Sequence, residues 1–170
     1  MQPTRRHFLT AIGASTFPLA GCLGDDTTSN ADWRTEPLED TTTDETFTIA
    51  EFTTPTIVHT FASNCLTCAR QQAEFRTLWE HRDDLEIVEL SIDPNDTAED
   101  LARHAADAGL AWRVGVATEP VTASLVEEYG QAVTVSAQSP VIVACPDGPT
   151  STVSKVSPPA VLENAIADTC

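Results

Sequence analysis

The stretch PTIVHTFASNCLTCARQQ, residues 55–72, constrains this chain more than any other. Residues 55–62 are apolar and β-branched, as a buried strand requires. From Cys65 to Arg82 the spacing turns helical, so the strand runs almost directly into a helix whose first turn carries Cys-x-x-Cys. Ser63 or Asn64 is expected to cap that helix. Helical steps from Cys68 reach Phe75, Leu78 and Trp79, an apolar face, whereas the same steps from Cys65 reach Gln72 and Arg76, a wet one. The spacing predicts an exposed Cys65 and a buried Cys68. Disulfide exchange uses this asymmetry: one thiolate attacks an incoming disulfide, and a sheltered second thiol resolves the mixed disulfide. Unpaired N–H groups and the positive dipole end at a helix N-terminus favour a thiolate there.

Further along, 85–92 alternates and then runs apolar, as a second strand would. Asp96 is expected to cap a helix carrying Leu101, Ala105 and Ala108, with Gly109 as its stop. Trp112 to Val116 reads as a short strand, and Pro120 opens a helix through Val121, Leu125 and Val126 that Gly130 closes. Val141 to Val143 and Thr152 to Val156 form a hairpin across Asp147-Gly148. A final helix follows Ser157-Pro158, with Val161, Leu162, Ala165 and Ile166 on one face. Strands alternating with helices and ending in a hairpin give an α/β domain, a central mixed sheet flanked by helices on both faces.

The N-terminal residues speak to compartment. Arg5-Arg6, then Phe8-Leu9 and a short apolar run ending in Leu19-Ala20-Gly21-Cys22, have the order of a signal peptide, 1–21, too short in its apolar part to remain as a membrane span. Arg5-Arg6-x-Phe-Leu resembles the twin-arginine export signal, and Leu-Ala-Gly-Cys resembles a lipobox that would lipidate Cys22. Residues 22–46 are rich in Thr, Asp and Glu and read as a disordered tether, leaving 47–170 as the folded domain. The chain has 26 acidic residues against 9 Lys plus Arg, of which only Lys155 is lysine, and a net charge of -17. Such a surface repels nucleic acid, so no nucleic-acid partner is expected. A dispersed, lysine-poor acidic surface resembles that of proteins from salt-in halophiles.

The strand, Cys-x-x-Cys and helix in an α/β domain resemble the thioredoxin fold. That family holds a proline in cis just before a later strand, facing the cysteines, and Pro140 in QSPVIV matches that position. SIDPNDTAEDLARHAADAGLAWRVGVATEP, with the following EEYG, is similar to the insertion and later core of TlpA/ResA-type extracytoplasmic thioredoxins. The resemblance covers about 47–168. It implies a haloarchaeal lipoprotein on the outer face of the cell membrane that exchanges thiols and disulfides, with Cys65 attacking, Cys68 resolving and Pro140 presenting backbone to the partner. It implies no cofactor beyond the Cys65–Cys68 disulfide. Its partners would be exported thiol or disulfide proteins, apocytochrome c or its maturation factors among them. The membrane would be reached through lipidated Cys22. Asn64 replaces the family's usual tryptophan, and Leu66-Thr67 is neither the Gly-Pro of reducing members nor the Pro-His of strong oxidants. Reduction, oxidation and isomerisation therefore all stay open.

Other readings compete. His59 precedes Cys65 where thioredoxins carry a buried acid, so it could relay a proton to Cys68 or simply be a hydrogen-bonded core histidine. His81 and His104, among charged neighbours, are expected to be solvated. Ser91-Ile92-Asp93-Pro94-Asn95-Asp96-Thr97 resembles a segment of Sco-type copper chaperones, yet those space their cysteines by three and place a histidine near the later proline strand, where QAVTVSAQSPVIV has none. A Sco-like copper role and a catalytically inert docking domain are the alternatives, and no metal site is expected. Cys145 and Cys170 are candidates for a structural disulfide pinning the last helix to the hairpin, or for a second redox pair, or for a buried hydrophobe and a frayed thiol.

Overall fold

A computed structural model describes residues 32–170. The expected signal peptide, Cys22 and the beginning of the expected tether lie outside the described residues. The β-branched run forms β3 (Thr56–Phe61), every residue of it buried. It pairs in parallel with β4 (Glu86–Ser91), which pairs in parallel with β5 (Arg113–Val116). On its other side β3 pairs antiparallel with β6 (Val141–Ala144), and β6 with β7 (Thr150–Val153), giving the strand order β5-β4-β3-β6-β7. β3 lies at the centre of the sheet and apolar clusters cover both of its faces, Ile57 and Phe61 facing one and Val58 the other, which explains the unbroken apolar run in its sequence.

Four helices cover the sheet. α1 (Leu66–Trp79), α2 (Ala98–Ala108) and α4 (Pro159–Thr169) share one core with Ile57, Phe61, Ile87, Val114, Val141 and Val143. α3 (Glu119–Tyr129) packs on the opposite face with Val58, Val88, Leu90 and Ile142. Gly109 ends α2 at φ 63°, a conformation that glycine adopts without steric penalty. Among the described residues no helix is long and apolar enough to cross a membrane.

The second face corrects the expected tether. Within residues 32–46, Trp33, Leu38 and Asp40 are buried and fasten the segment to the folded domain. Trp33 is fully buried, its backbone N–H donates to Ser124 Oγ at 3.1 Å, and its indole N–H donates to Glu128 at 2.7 Å. Leu38 is buried too, and β1 (Leu38–Glu39) pairs with β2 (Thr46–Phe47) around a turn in which Asp40 accepts from Thr42 and Thr43. Thr41 donates to the carbonyl of Val114, hooking the turn to β5. A Cβ on Gly115 would come 2.7 Å from the Glu39 carbonyl, so the glycine in WRVGV makes room for this hairpin. Two large apolar anchors outweigh a polar composition here; averaging the segment concealed them.

Three local expectations shift as well. Thr97, rather than Asp96, caps α2, its side chain accepting from the Asp100 N–H. β7 lies at Thr150–Val153, and Lys155 follows it in a loop. Pairing stops at Val141↔Val153 because Pro140, next along, has no N–H to extend the ladder. Among the described residues the cis peptide is Lys155–Val156, so Ser139–Pro140 is trans, contrary to the expected cis proline.

Candidate redox site

β3 delivers the chain to the sheet end where α1 begins. The expected Ser63 or Asn64 cap is replaced by Cys65 itself, whose sulfur accepts from the Cys68 N–H at 3.2 Å. Ser63 is otherwise engaged: its N–H and hydroxyl both donate to Asp96, at 3.0 and 2.6 Å. Ser91 Oγ donates to the same carboxylate at 2.6 Å. Burial alone would raise the Asp96 pKa, but these donors outweigh it and hold the carboxyl below its ordinary range. Asp96 thus ties the loop before Cys65 to the end of β4.

Cys65 and Cys68 form a disulfide with Cα atoms 5.2 Å apart. Cys65 is partly exposed and Cys68 is 1% exposed. The carbonyl oxygen of Ser136 lies 3.4 Å from Cys68 Sγ, so the loop before β6 meets the pair through this backbone group. Pro140 stands at the head of β6, half-buried, and the preceding Ser139 hydroxyl is bonded to Thr60 of β3. Lys155 Nζ lies 3.3 Å from Cys68 Sγ and also donates to the carbonyls of Thr60, at 3.3 Å, and Ser136. Burial pulls the Lys155 pKa down to about 8, against an opposing pull from the Glu89 charge.

Behind the disulfide lies a polar network that the helical wheel did not reveal. His59 and Glu89, in register on β3 and β4, are both fully buried, with Nδ1 2.6 Å from Oε1. The carboxylate can only accept, so the ring proton sits on Nδ1. Glu89 also accepts from Gln72 and from the Trp112 indole, each at 3.0 Å. Burial lowers the His59 pKa more than Glu89 raises it, keeping the ring neutral. Among the described residues its Nε2 has no hydrogen-bond partner.

Gln72, expected on a wet face, is buried because it serves this carboxylate. Its neighbour Gln71 is buried with it, bonded to the backbone of Ser157. His104, expected to be solvated, is half-buried, 3.3 Å from Gln72, with its ring tilted against Phe61 at 5.7 Å. His81 is exposed. The sequence offered one signal for this network, Glu89 set between Val88 and Leu90 in the strand, and one for Lys155, the only lysine in the chain.

Cys145 and Cys170 form the second disulfide, with Cα atoms 5.4 Å apart. It joins the end of β6 to the end of α4. Because Thr56, not Phe61, pairs with Ala144, this bond lies at the opposite end of the sheet from Cys65–Cys68. Among the described residues no group of three or more His, Cys, Asp or Glu side chains is placed to hold a metal ion.

A mixed sheet in this order, with a Cys-x-x-Cys disulfide where its central strand meets a helix, defines a thioredoxin-fold protein. No protein-family model matches the chain, and no curated protein matches it. Solved structures do. A secreted disulfide oxidoreductase from Mycobacterium tuberculosis, homologous to E. coli DsbE, superposes with a TM-score of 0.62 at 11% identity, covering 80% of this chain and 97% of its own. A SCO1/SenC family lipoprotein from Bacillus anthracis gives 0.63 at 14% identity, covering 82% and 95%. A thioredoxin-related protein from Neisseria meningitidis gives 0.62 at 15% identity, covering 76% and 96%. At these identities the superpositions establish a shared fold and nothing finer.

Proposed function

We propose that this chain is an extracytoplasmic thiol–disulfide oxidoreductase, anchored in the cell membrane through lipidated Cys22, that exchanges the Cys65–Cys68 dithiol and disulfide with exported proteins. The carrying observation is the asymmetry of the pair. Cys65 is reachable and receives a helix N-terminal N–H, while Cys68 is sealed beneath it. The accessible sulfur attacks or is attacked, and the sheltered one closes the intramolecular bond. Leu66, 83% exposed, Val135 and Val156 are exposed apolar neighbours in sequence of Cys65, Ser136 and Lys155, and offer a partner chain a surface around the disulfide. His59 serves as a proton relay in this reading, supported by its neutral ring, whose Nε2 has no hydrogen-bond partner among the described residues. Pro140 presents backbone to the partner beside the Ser136 loop. Apocytochrome c or its maturation factors fit as partners on the TlpA/ResA resemblance. The acidic, lysine-poor composition supports a haloarchaeal source and work in concentrated salt.

The test is insulin reduction by the full chain in molar salt, with Cys65→Ser beside it. Turnover lost in the variant is the expected result. No turnover in the parent, or turnover that survives the substitution, ends the reading. Cys68→Ser should strand mixed disulfides on Cys65 and so identify the exported partners.

A further inference from the structure

We propose that Lys155 is a catalytic residue of this exchange, its side-chain nitrogen pairing with Cys68 Sγ and favouring the Cys68 thiolate once the disulfide opens. The inference rests on the oxidoreductase reading. Cys68 is a poor place for a thiolate without help: it is buried, and a carbonyl oxygen of Ser136 faces it at 3.4 Å. The helix N-terminal N–H of Cys68 is directed to the other sulfur, Cys65. Among the described residues Lys155 is the cation within hydrogen-bond reach of either cysteine, at 3.3 Å from Cys68 Sγ. The Thr60 and Ser136 carbonyls fix it there from β3 and from the loop before β6. The titratable groups around it are His59 on β3, Glu89 on β4 and the two cysteines at the start of α1; residues 135–140 contribute none. With its pKa lowered to about 8, the amine is poised to hold or release a proton near neutrality.

The step balances as follows. The Cys65 thiolate attacks one sulfur of a partner disulfide, and the partner's other sulfur leaves as a thiolate and takes a proton from water. The Cys68 thiol passes its proton to Lys155 or to water, and its thiolate attacks Cys65 Sγ. The Cys65–Cys68 bond forms and the partner's second sulfur leaves to be protonated. Two electrons have passed from the dithiol to the partner, and the reverse sequence oxidises a partner dithiol.

A lone lysine makes the test clean, because selective labelling with 13C-lysine gives the full chain one Cε signal. Its titration should move to higher pH on reduction with a phosphine, and in reduced Cys68→Ser it should lie below that of the reduced parent. Identical titrations in the oxidised and reduced parent overturn the proposal, with no need for a lysine variant to fold. Lys155→Met should move the thiol–disulfide equilibrium with glutathione at pH 7 about tenfold toward the disulfide, ~30 mV more reducing. Lys155→Arg should keep most of the parent's value, and an unchanged equilibrium in Lys155→Met overturns the proposal. A parent inactive on insulin whose lysine titration still follows its redox state would sink the enzymatic reading and leave the Lys155–Cys68 pairing standing.

Discussion

The two disulfides share a bond and little else. Cys65–Cys68 links residues 3 apart, with one cysteine partly exposed and a cation against the other. Cys145–Cys170 links residues 25 apart, tying the end of β6 to the end of the last helix. Closing a longer loop removes more entropy from the unfolded chain. The second bond is therefore built to hold the fold, and the first to be opened at little expense to it. The neighbouring charges differ in the same sense. Lys155 beside the first pair is drawn down to about 8, near the range where exchange takes place. At the other end Glu128, bonded to Thr150 at the start of β7, is held down at about 2 and stays ionised.

The most severe test of this contrast removes the second bond. In the chain-entropy view, Cys145→Ala with Cys170→Ala should destabilise the protein by about 3.5 kcal/mol, read from the urea midpoint, and leave insulin turnover intact. A parallel loss of turnover would make the second pair part of the redox path and erase the distinction. Partial reduction should agree, a mild thiol opening Cys65–Cys68 while Cys145–Cys170 persists, as peptide mapping of alkylated cysteines would show.

A smaller effect is expected from Asp96→Ala, which removes the acceptor of three hydrogen bonds from Ser63 and Ser91. About 2 kcal/mol of stability should go, since the acceptor is charged and partly buried. Slackening the loop before Cys65 should also lower kcat/KM on insulin about tenfold. The resistance of Cys145–Cys170 to reduction should not change. If both bonds become easier to reduce, Asp96 supports the whole fold and not the redox loop.

The elements that position the cysteines were legible in the sequence because each announces itself locally: the β-branched run 55–62, the helical spacing after Cys65, Gly109 and the Asp147-Gly148 turn. What escaped depends on partners far along the chain. Gln72 looks like a surface residue until Glu89, from another strand, is placed beneath it. Lys155 reads as a strand residue within 152–156 until the β7 ladder ends at Val153 and leaves it in the loop beside Cys68. Asp96 looks like a helix cap because Thr97 beside it is equally able to cap and Ser63 is 33 residues away. Trp33 and Leu38 were discounted by the company they keep; burial follows individual side chains, and two of them suffice to fasten a polar segment.

The mildest expected effect lies at the static end. Glu128 accepts from the Trp33 indole at 2.7 Å, from Arg34 at 3.1 Å and from Tyr129 at 2.7 Å. Burial alone would raise its pKa, but these donors outweigh it and hold the carboxyl at about 2. A carboxyl whose folded pKa is depressed adds stability that is fully present above its unfolded value, about 4.5, and lost as pH falls through about 2. The side chain is 35% exposed, so solvent screens the pair with Arg34 and the gain is modest. Glu128→Gln should lower stability by about 1 kcal/mol at pH 7, and the gap between parent and variant should close as urea midpoints are followed down from pH 5 to pH 2. A gap that stays constant over that range would mean that shape, rather than charge, holds Trp33 on α3. The contrast with the titratable lysine at the redox end would then fail on this side of the molecule.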